Sequence, residues 1–211
     1  MRTILGITLG LLVIVFATPS PAQITPEHLW SEGFGSTGDD DPIGVAVDAS
    51  GNVFVTGYFS GTANFGGGNL VCAGPDDIFL AKYNANGVHQ WSQRFGGTGD
   101  DVGRDVAVDA SGNVFVTGYF NDTVNFGGGD LVSAGNFAMF VAKFNASGVH
   151  QWSQRFGAGG ADGAVSLAVA VDGSGNVVVT GDFNGTVNFG GGNLVSAGDR
   201  DIFLAKYSAS G

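Results

Sequence analysis

The sequence predicts an all-β fold built from repeated four-stranded antiparallel units. Three observations carry that prediction. The stretch Val47-Asp48-Ala49-Ser50-Gly51-Asn52-Val53-Phe54-Val55-Thr56-Gly57-Tyr58-Phe59 returns at 108–120 and, altered, at 171–183. Trp30, Trp91 and Trp152 recur every 61 residues, and a fixed period of this kind marks a repeat architecture. Thirty-eight glycines among 211 residues, set between runs of Val, Phe and Thr, predict many short strands joined by tight turns.

Each period holds four strand-like segments. In the first copy these are Val45-Ala46-Val47-Asp48, the run 53–59, Ile78-Phe79-Leu80-Ala81-Lys82-Tyr83, and the run 88–95. The first is short and made of small apolar residues, which suits an innermost strand. The second and third alternate weakly, as strands buried on both faces do. The fourth, Val88-His89-Gln90-Trp91-Ser92-Gln93-Arg94-Phe95, suits a wider outer rim. Regular alternation would put His89, Trp91 and Phe95 on one face, filling one gap between units.

The connections differ in kind. Asp48-Ala49-Ser50-Gly51-Asn52 and Asn84-Ala85-Asn86-Gly87 read as tight hairpins, because Asp and Asn cap backbone N–H groups and Gly supplies positive φ. The other two, 60–77 and 96–101, are longer. Within the first, Asn64-Phe65-Gly66-Gly67-Gly68 lacks the Lys-Ser/Thr of a phosphate loop and reads as a further hairpin turn. Since strands alternate in direction, the two tight hairpins share one face and the two long connections the other.

Four antiparallel strands, repeated, predict β-propeller blades, which must stack to bury their flat faces. The run from Asp76-Asp77-Ile78-Phe79-Leu80-Ala81-Lys82-Tyr83 through Asn86-Gly87, Trp91, Phe95-Gly96-Gly97 and Gly99-Asp100-Asp101 to Val106-Ala107-Val108-Asp109-Ala110-Ser111-Gly112-Asn113-Val114-Phe115-Val116-Thr117-Gly118 resembles the SBBP-type bacterial β-propeller repeat. Its Val-Asp-x-x-Gly-Asn-Val core also resembles NHL repeats. The resemblance covers nearly all of 30–211. It implies a propeller in an exported bacterial protein and brings no shared catalytic motif.

The expected organisation is a signal peptide over 1–22 followed by β-propeller repeats over 23–211. Within these, 28–35 is a lone outer strand, 43–96 is blade 1, 102–157 is blade 2, and 164–211 is blade 3 without its outer strand. Arg2 followed by the apolar run 4–17 and by Thr18-Pro19-Ser20-Pro21-Ala22 has the pattern of an export signal. Propellers close with about 4–8 blades. With about three, the expectation is an open arc or a fragment of a larger propeller. Two copies joined head to tail into six blades is the third outcome.

The formal charge of -11 excludes nucleic acid and anionic membrane surfaces as natural partners. It could attract cations. The long-loop face collects Asp39, Asp40, Asp41, Asp76, Asp77, Asp100, Asp101, Asp122, Asp130, Asp162, Asp199 and Asp201. Asp39, Asp40, Asp100 and Asp101 are the candidate calcium ligands, since calcium takes six to eight oxygens and Gly-Asp-Asp loops supply several. The competing reading is turn chemistry, in which Asp accepts backbone N–H bonds. No other cofactor is expected. His28, His89 and His150 lie on separate outer strands and diverge, unlike zinc ligands. Cys72 is alone, with Ser133 and Ser196 at the matching positions, so it is a half-buried thiol or an interchain disulfide. Lys82, Lys143 and Lys206 recur at one strand position and predict a repeated structural contact.

No Gly-x-Ser-x-Gly elbow or converging Ser–His–Asp set is present. The expected function is therefore a secreted or cell-surface, non-catalytic binding or structural scaffold. Extracellular protein or glycan would be its partner, and self-association through unpaired blade edges is a further one. The alternative is an extracellular propeller lyase or hydrolase using acidic residues of the long-loop face. That reading needs unique polar residues gathered in one blade, whereas Glu32, Arg104 and Arg200 are scattered along the sequence.

Overall fold

A computed structural model describes residues 26–133, 135, 137–157 and 167–211. The expected signal peptide over 1–22 and Asp162 lie outside the described residues. Seventeen strands and no helix are present among those described. Blade 1 contains β1 (Asp40–Val47), β2 (Val53–Phe59), β3 (Thr62–Asn64), β4 (Asn69–Val71), β5 (Asp77–Tyr83) and β6 (His89–Phe95). Blade 2 contains β7 (Asp101–Val108), β8 (Val114–Phe120), β9 (Thr123–Asn125), β10 (Asp130–Val132), β11 (Ala138–Phe144) and β12 (His150–Phe156). Blade 3 contains β13 (Leu167–Val171), β14 (Val177–Phe183), β15 (Thr186–Asn188), β16 (Asn193–Val195) and β17 (Asp201–Tyr207).

The main sheets are antiparallel throughout, with strand order β1-β2-β5-β6 in blade 1, its equivalent in blade 2, and β13-β14-β17 in blade 3. The three sheets remain separate, with β7 packed between β1 and β13. This is an open stack of propeller blades whose innermost strands are neighbours. The inner strand is longer than its small apolar core suggested. β1 begins at Asp40 and accommodates a bulge between Pro42 and Gly44, repeated in β7 between Gly103 and Asp105.

The tight hairpins form as their side chains dictate. Asp48 Oδ1 accepts the N–H groups of Ser50 and Asn52 at 2.8 and 2.9 Å, and Gly51 takes φ 79°. A Cβ on Gly51 would sit 3.0 Å from the Ala85 methyl, so the two short turns of a blade share one end, as their strand directions require. The long connection folds back as the β3–β4 hairpin. It lays Phe65 against Phe79, with ring centroids 4.4 Å apart, on the face of the sheet turned away from blade 2.

Two apolar layers fill the gaps between sheets. The first joins Phe54, Ile78 and Leu80 of blade 1 to Val106, Val116 and Phe140 of blade 2, and the second repeats this between blades 2 and 3. The outer strand seals each gap. Phe95 stacks on Phe144 at 5.1 Å, Phe156 on Tyr207 at 5.3 Å, and Phe34 on Tyr83 at 4.9 Å. Trp30, Trp91 and Trp152 each donate the indole N–H to a carbonyl of the following hairpin, that of Ala85, Ala146 or Ala209. Residues 28–35 thus stand where a preceding blade's outer strand would stand, although Gly35 alone makes a β-bridge, with Asn64.

One packing expectation is corrected. His89 does not share a face with Trp91 and Phe95, because β6 bulges: Tyr83 pairs with His89 and Lys82 with Trp91, leaving Gln90 as the extra residue. Trp91 faces the next blade. His89 turns the other way, edge-on to Tyr83 at 5.8 Å and under the Gly66-Gly67 turn of its own blade. The same bulge recurs in β12. The repeated lysines do make a repeated contact in two of three copies. Lys82 donates to the carbonyl of Ala146 and Lys143 to that of Ala209, whereas Lys206 pairs with Asp172 at 2.7 Å.

Candidate functional site

Many of the chain's acidic residues lie at the long-loop end, and two groups among them stand out by their surroundings. Asp40, Asp77, Asp101 and Asp201 each begin a strand and accept an N–H from four residues earlier: Ser36, Ala73, Gly97 and Ala197. These carboxylates hold loops closed. Asp101 is fully buried, and its other oxygen accepts the N–H of Asn121 at 3.2 Å. Burial raises its carboxyl to about 7 despite the two N–H groups, and Asp77 and Asp100 add to the rise. Asp77 is also fully buried and is paired with Arg94. A Cβ on Gly96 would meet carboxylate oxygens of both Asp77 and Asp101, so only glycine fits between them.

The four candidate calcium ligands therefore form two pairs, Asp39 with Asp40 in blade 1 and Asp100 with Asp101 in blade 2. Ser60 donates to the carbonyl of Asp39, and Asn121 N–H donates to that of Asp100. Among the described residues, no group of three or more His, Cys, Asp or Glu is placed to hold a metal ion. The strand histidines are engaged on the rim, with His89 Nε2 3.1 Å from Ser92 Oγ and His150 Nε2 3.1 Å from Ser153 Oγ. Cys72 is half-buried, its thiol donating to the carbonyl of Gly74 at 3.1 Å, and burial raises its pKa.

The second group of carboxylates lines a cleft of about 280 Å³ between blades 1 and 2. Asp41 and Ile43 come from β1, Tyr58 from β2, and Asp76 from the approach to β5. Asp100, Arg104, Tyr119 and Phe137 come from blade 2. Asp76 and Asp100 are held side by side by a parallel β-bridge, with Asp101 N–H donating to the carbonyl of Asp76 at 3.0 Å. Partial burial raises the pKa of Asp76, and Asp100, Asp39 and Asp77 reinforce it. Burial and the neighbouring carboxylates raise that of the Tyr58 hydroxyl. Arg104, the bulge residue of β7, lies 5.1 Å over the Tyr119 ring, and Phe137 meets the same ring edge-on at 5.1 Å. The cleft thus joins two phenol rings and a phenyl ring to three carboxylates and one guanidinium.

Sequence reasoning placed Asp41, Asp76 and Asp100 at this end of the blades but missed Tyr58, Tyr119 and Phe137, and it treated Arg104 as scattered. A signal was present in the columns of the repeat. Asp76, Phe137 and Arg200 occupy one equivalent position, just before the residues that pair with Phe59, Phe120 and Phe183. Ile43 and Arg104 occupy another, and Tyr58, Tyr119 and Asp182 a third. All three columns converge at the long-loop end, while the core columns change only among apolar and aromatic residues.

Comparison with known proteins agrees with the fold. The family profile described as the SBBP β-propeller repeat matches residues 29–65 and 90–121. Over 189 residues, 78% of this chain, the sequence is 28% identical to an uncharacterized WD repeat-containing protein of Acanthamoeba polyphaga mimivirus. The matched region spans 13% of the length of that protein.

Proposed function

We propose that this chain, whose residues 29–65 and 90–121 match the SBBP β-propeller repeat profile, is a secreted or cell-surface, non-catalytic scaffold that binds protein or glycan in the cleft between blades 1 and 2. The observation that carries this reading is the break in repeat symmetry. Positions that hold the blades together keep their apolar character from copy to copy, whereas the cleft columns Asp41/Val102, Ile43/Arg104 and Asp76/Phe137/Arg200 change in charge and shape, and variable loops on a constant scaffold are where recognition concentrates.

The cleft chemistry suits such partners. The faces of Tyr58, Tyr119 and Phe137 offer apolar area at low entropic cost. Asp41, Asp76 and Asp100 accept hydrogen bonds from sugar hydroxyls or from the ammonium and guanidinium groups of a partner protein. The charged start, apolar run and small-residue end of residues 1–22 support export.

Calorimetry against a panel of neutral and amino oligosaccharides, together with lysine-rich and arginine-rich peptides, tests the proposal. Binding by at least one member, lowered tenfold or more by Tyr119→Ala and by Asp76→Asn, is expected. Binding unchanged by both substitutions moves the site elsewhere. Conversion of a bound sugar into products overturns the non-catalytic reading, and retention of the chain in the cytoplasm overturns export.

A further inference from the structure

The charges of the cleft between blades 1 and 2 are laid out along β7 and are not paired with one another. Asp76 and Asp100 stand side by side at its long-loop end, fixed by the bridge between their backbones. Arg104 follows Asp100 by four residues along the chain, about 13 Å of extended strand, at the bulge between Gly103 and Asp105. Its guanidinium lies over the ring of Tyr119, whose partner across the ladder is Val102. Among the described residues, ion pairs are made by Arg94, Arg200 and Lys206, and Arg104 makes none.

Arg104 is short of acceptors. Its Nε is buried without a hydrogen-bond partner, and its one hydrogen bond, from Nη2 to the Tyr119 hydroxyl, is long at 3.5 Å. The aromatic face steadies the guanidinium without neutralising it, which leaves its planar fork for an anion. The carboxylates have the opposite need. Partial burial and the neighbouring Asp100 raise the pKa of Asp76, and a cation set between the two relieves that strain. The corresponding residue of blade 1 is Ile43, so the unpaired guanidinium is a feature of this cleft and not of the repeat.

We propose that the cleft takes a lysine or arginine residue with a free α-carboxylate, the carboxylate on Arg104 and the side-chain cation between Asp76 and Asp100. This rests on the reading of the cleft as a binding site and narrows its ligand. A bidentate carboxylate gives Arg104 the acceptors it lacks. The methylene stem of the ligand lies along the Tyr119 and Phe137 rings while its charged head reaches the carboxylates. Neutral and amino sugars bring no anion for Arg104, and a lysine inside a polypeptide has no carboxylate of its own. A free basic amino acid and the C-terminal residue of a polypeptide share the required chemistry.

Calorimetry at one fixed ionic strength tests this with acetyl-Ala-Ala-Lys, its C-terminal amide, acetyl-Ala-Ala-norleucine and free L-lysine. The peptide acid should bind about tenfold tighter than either the amide or the norleucine peptide, since each of those lacks one of the two charges. In Arg104→Gln the acid should bind no tighter than its amide, a ratio that a purely structural Arg104 would not move. L-lysine binding as tightly as the peptide acid supports the proposal and assigns the ligand to the free amino acid. Binding by the peptide acid alone supports it and assigns the ligand to a polypeptide terminus. Acid and amide bound equally by the parent protein overturn the proposal and leave the cleft a binding site. Failure of every one of these probes overturns it as well, and a sugar bound in the same cleft would then preserve the broader reading.

Discussion

Trp91 donates its indole N–H to the carbonyl oxygen of Ala146, 3.3 Å away in the following blade. The bond joins an outer strand to the hairpin of its neighbour, and Phe95, four residues on, stacks on Phe144 in the same gap. Each outer strand is therefore hydrogen-bonded into one sheet and packed against the next.

Truncating Phe95 should separate these two roles. Phe95→Ala leaves the β5–β6 ladder intact but empties the space between Phe126 and Phe144. A loss of about 3–5 kcal/mol is expected for a buried phenylalanine. Urea denaturation checks it, and a loss below about 1 kcal/mol would show that the gap does not depend on this ring.

Thr56, Thr117 and Thr180 occupy equivalent positions but differ in their bonds. Thr56 Oγ1 donates to the carbonyl of Phe79 at 2.8 Å and Thr180 Oγ1 to that of Phe203 at 2.7 Å, whereas the buried Thr117 hydroxyl has no partner. Valine should therefore act with opposite signs. Thr56→Val should destabilise by about 1 kcal/mol, and Thr117→Val should stabilise by about 1 kcal/mol, since it removes a buried hydroxyl left unbonded. Thermal melts of the two variants side by side decide it, and equal shifts would sink the argument.

Gly57 faces the β1 bulge. A Cβ there would lie 1.9 Å from the backbone oxygen of Asp41, and the backbone on both sides belongs to paired strands. Gly57→Ala should cost about 1–3 kcal/mol through forced backbone movement. It should also disturb the cleft, because Asp41 is part of its lining. A fluorescence-monitored unfolding curve identical to that of the parent would contradict this.

Asp101 makes stability depend on pH in a direction unusual for a carboxylate. Its folded pKa, about 7, lies above the ordinary 3.8, so between these values the folded chain holds a proton that the unfolded chain has lost. Its contribution is therefore fully present below about pH 4, declines as pH rises, and levels off above about 7. The difference in melting temperature between the parent and Asp101→Asn should shrink from pH 4 to pH 7.5. A difference that stays constant or grows would show that Asp101 ionises normally.

The blade was legible because its determinants are local and repeated. The Asp48–Asn52 turn, the β-branched run of β2 and the 61-residue tryptophan spacing each have one reading. The Gln90 bulge was not, because one extra residue in a ladder leaves no mark in a hydrophobic pattern yet sends His89 and Trp91 to opposite faces. The cleft was partly legible. Its carboxylates were assigned to the correct end of the blades, but Arg104 and Tyr119 meet through the β7 bulge and the pairing of β7 with β8, a geometry that composition does not encode. Asp40 and Asp101, read as candidate ligands, share their chemistry with loop-closing caps, and residue type alone does not separate the two roles.

The aromatic stacks between blades also bear on ancestry. Phe34–Tyr83, Phe95–Phe144 and Phe156–Tyr207 present nearly the same surface at every junction. A gene losing or gaining one whole period rejoins matched faces wherever the crossover falls. Blade number in such a lineage can drift by unequal recombination without first passing through a misfolded intermediate.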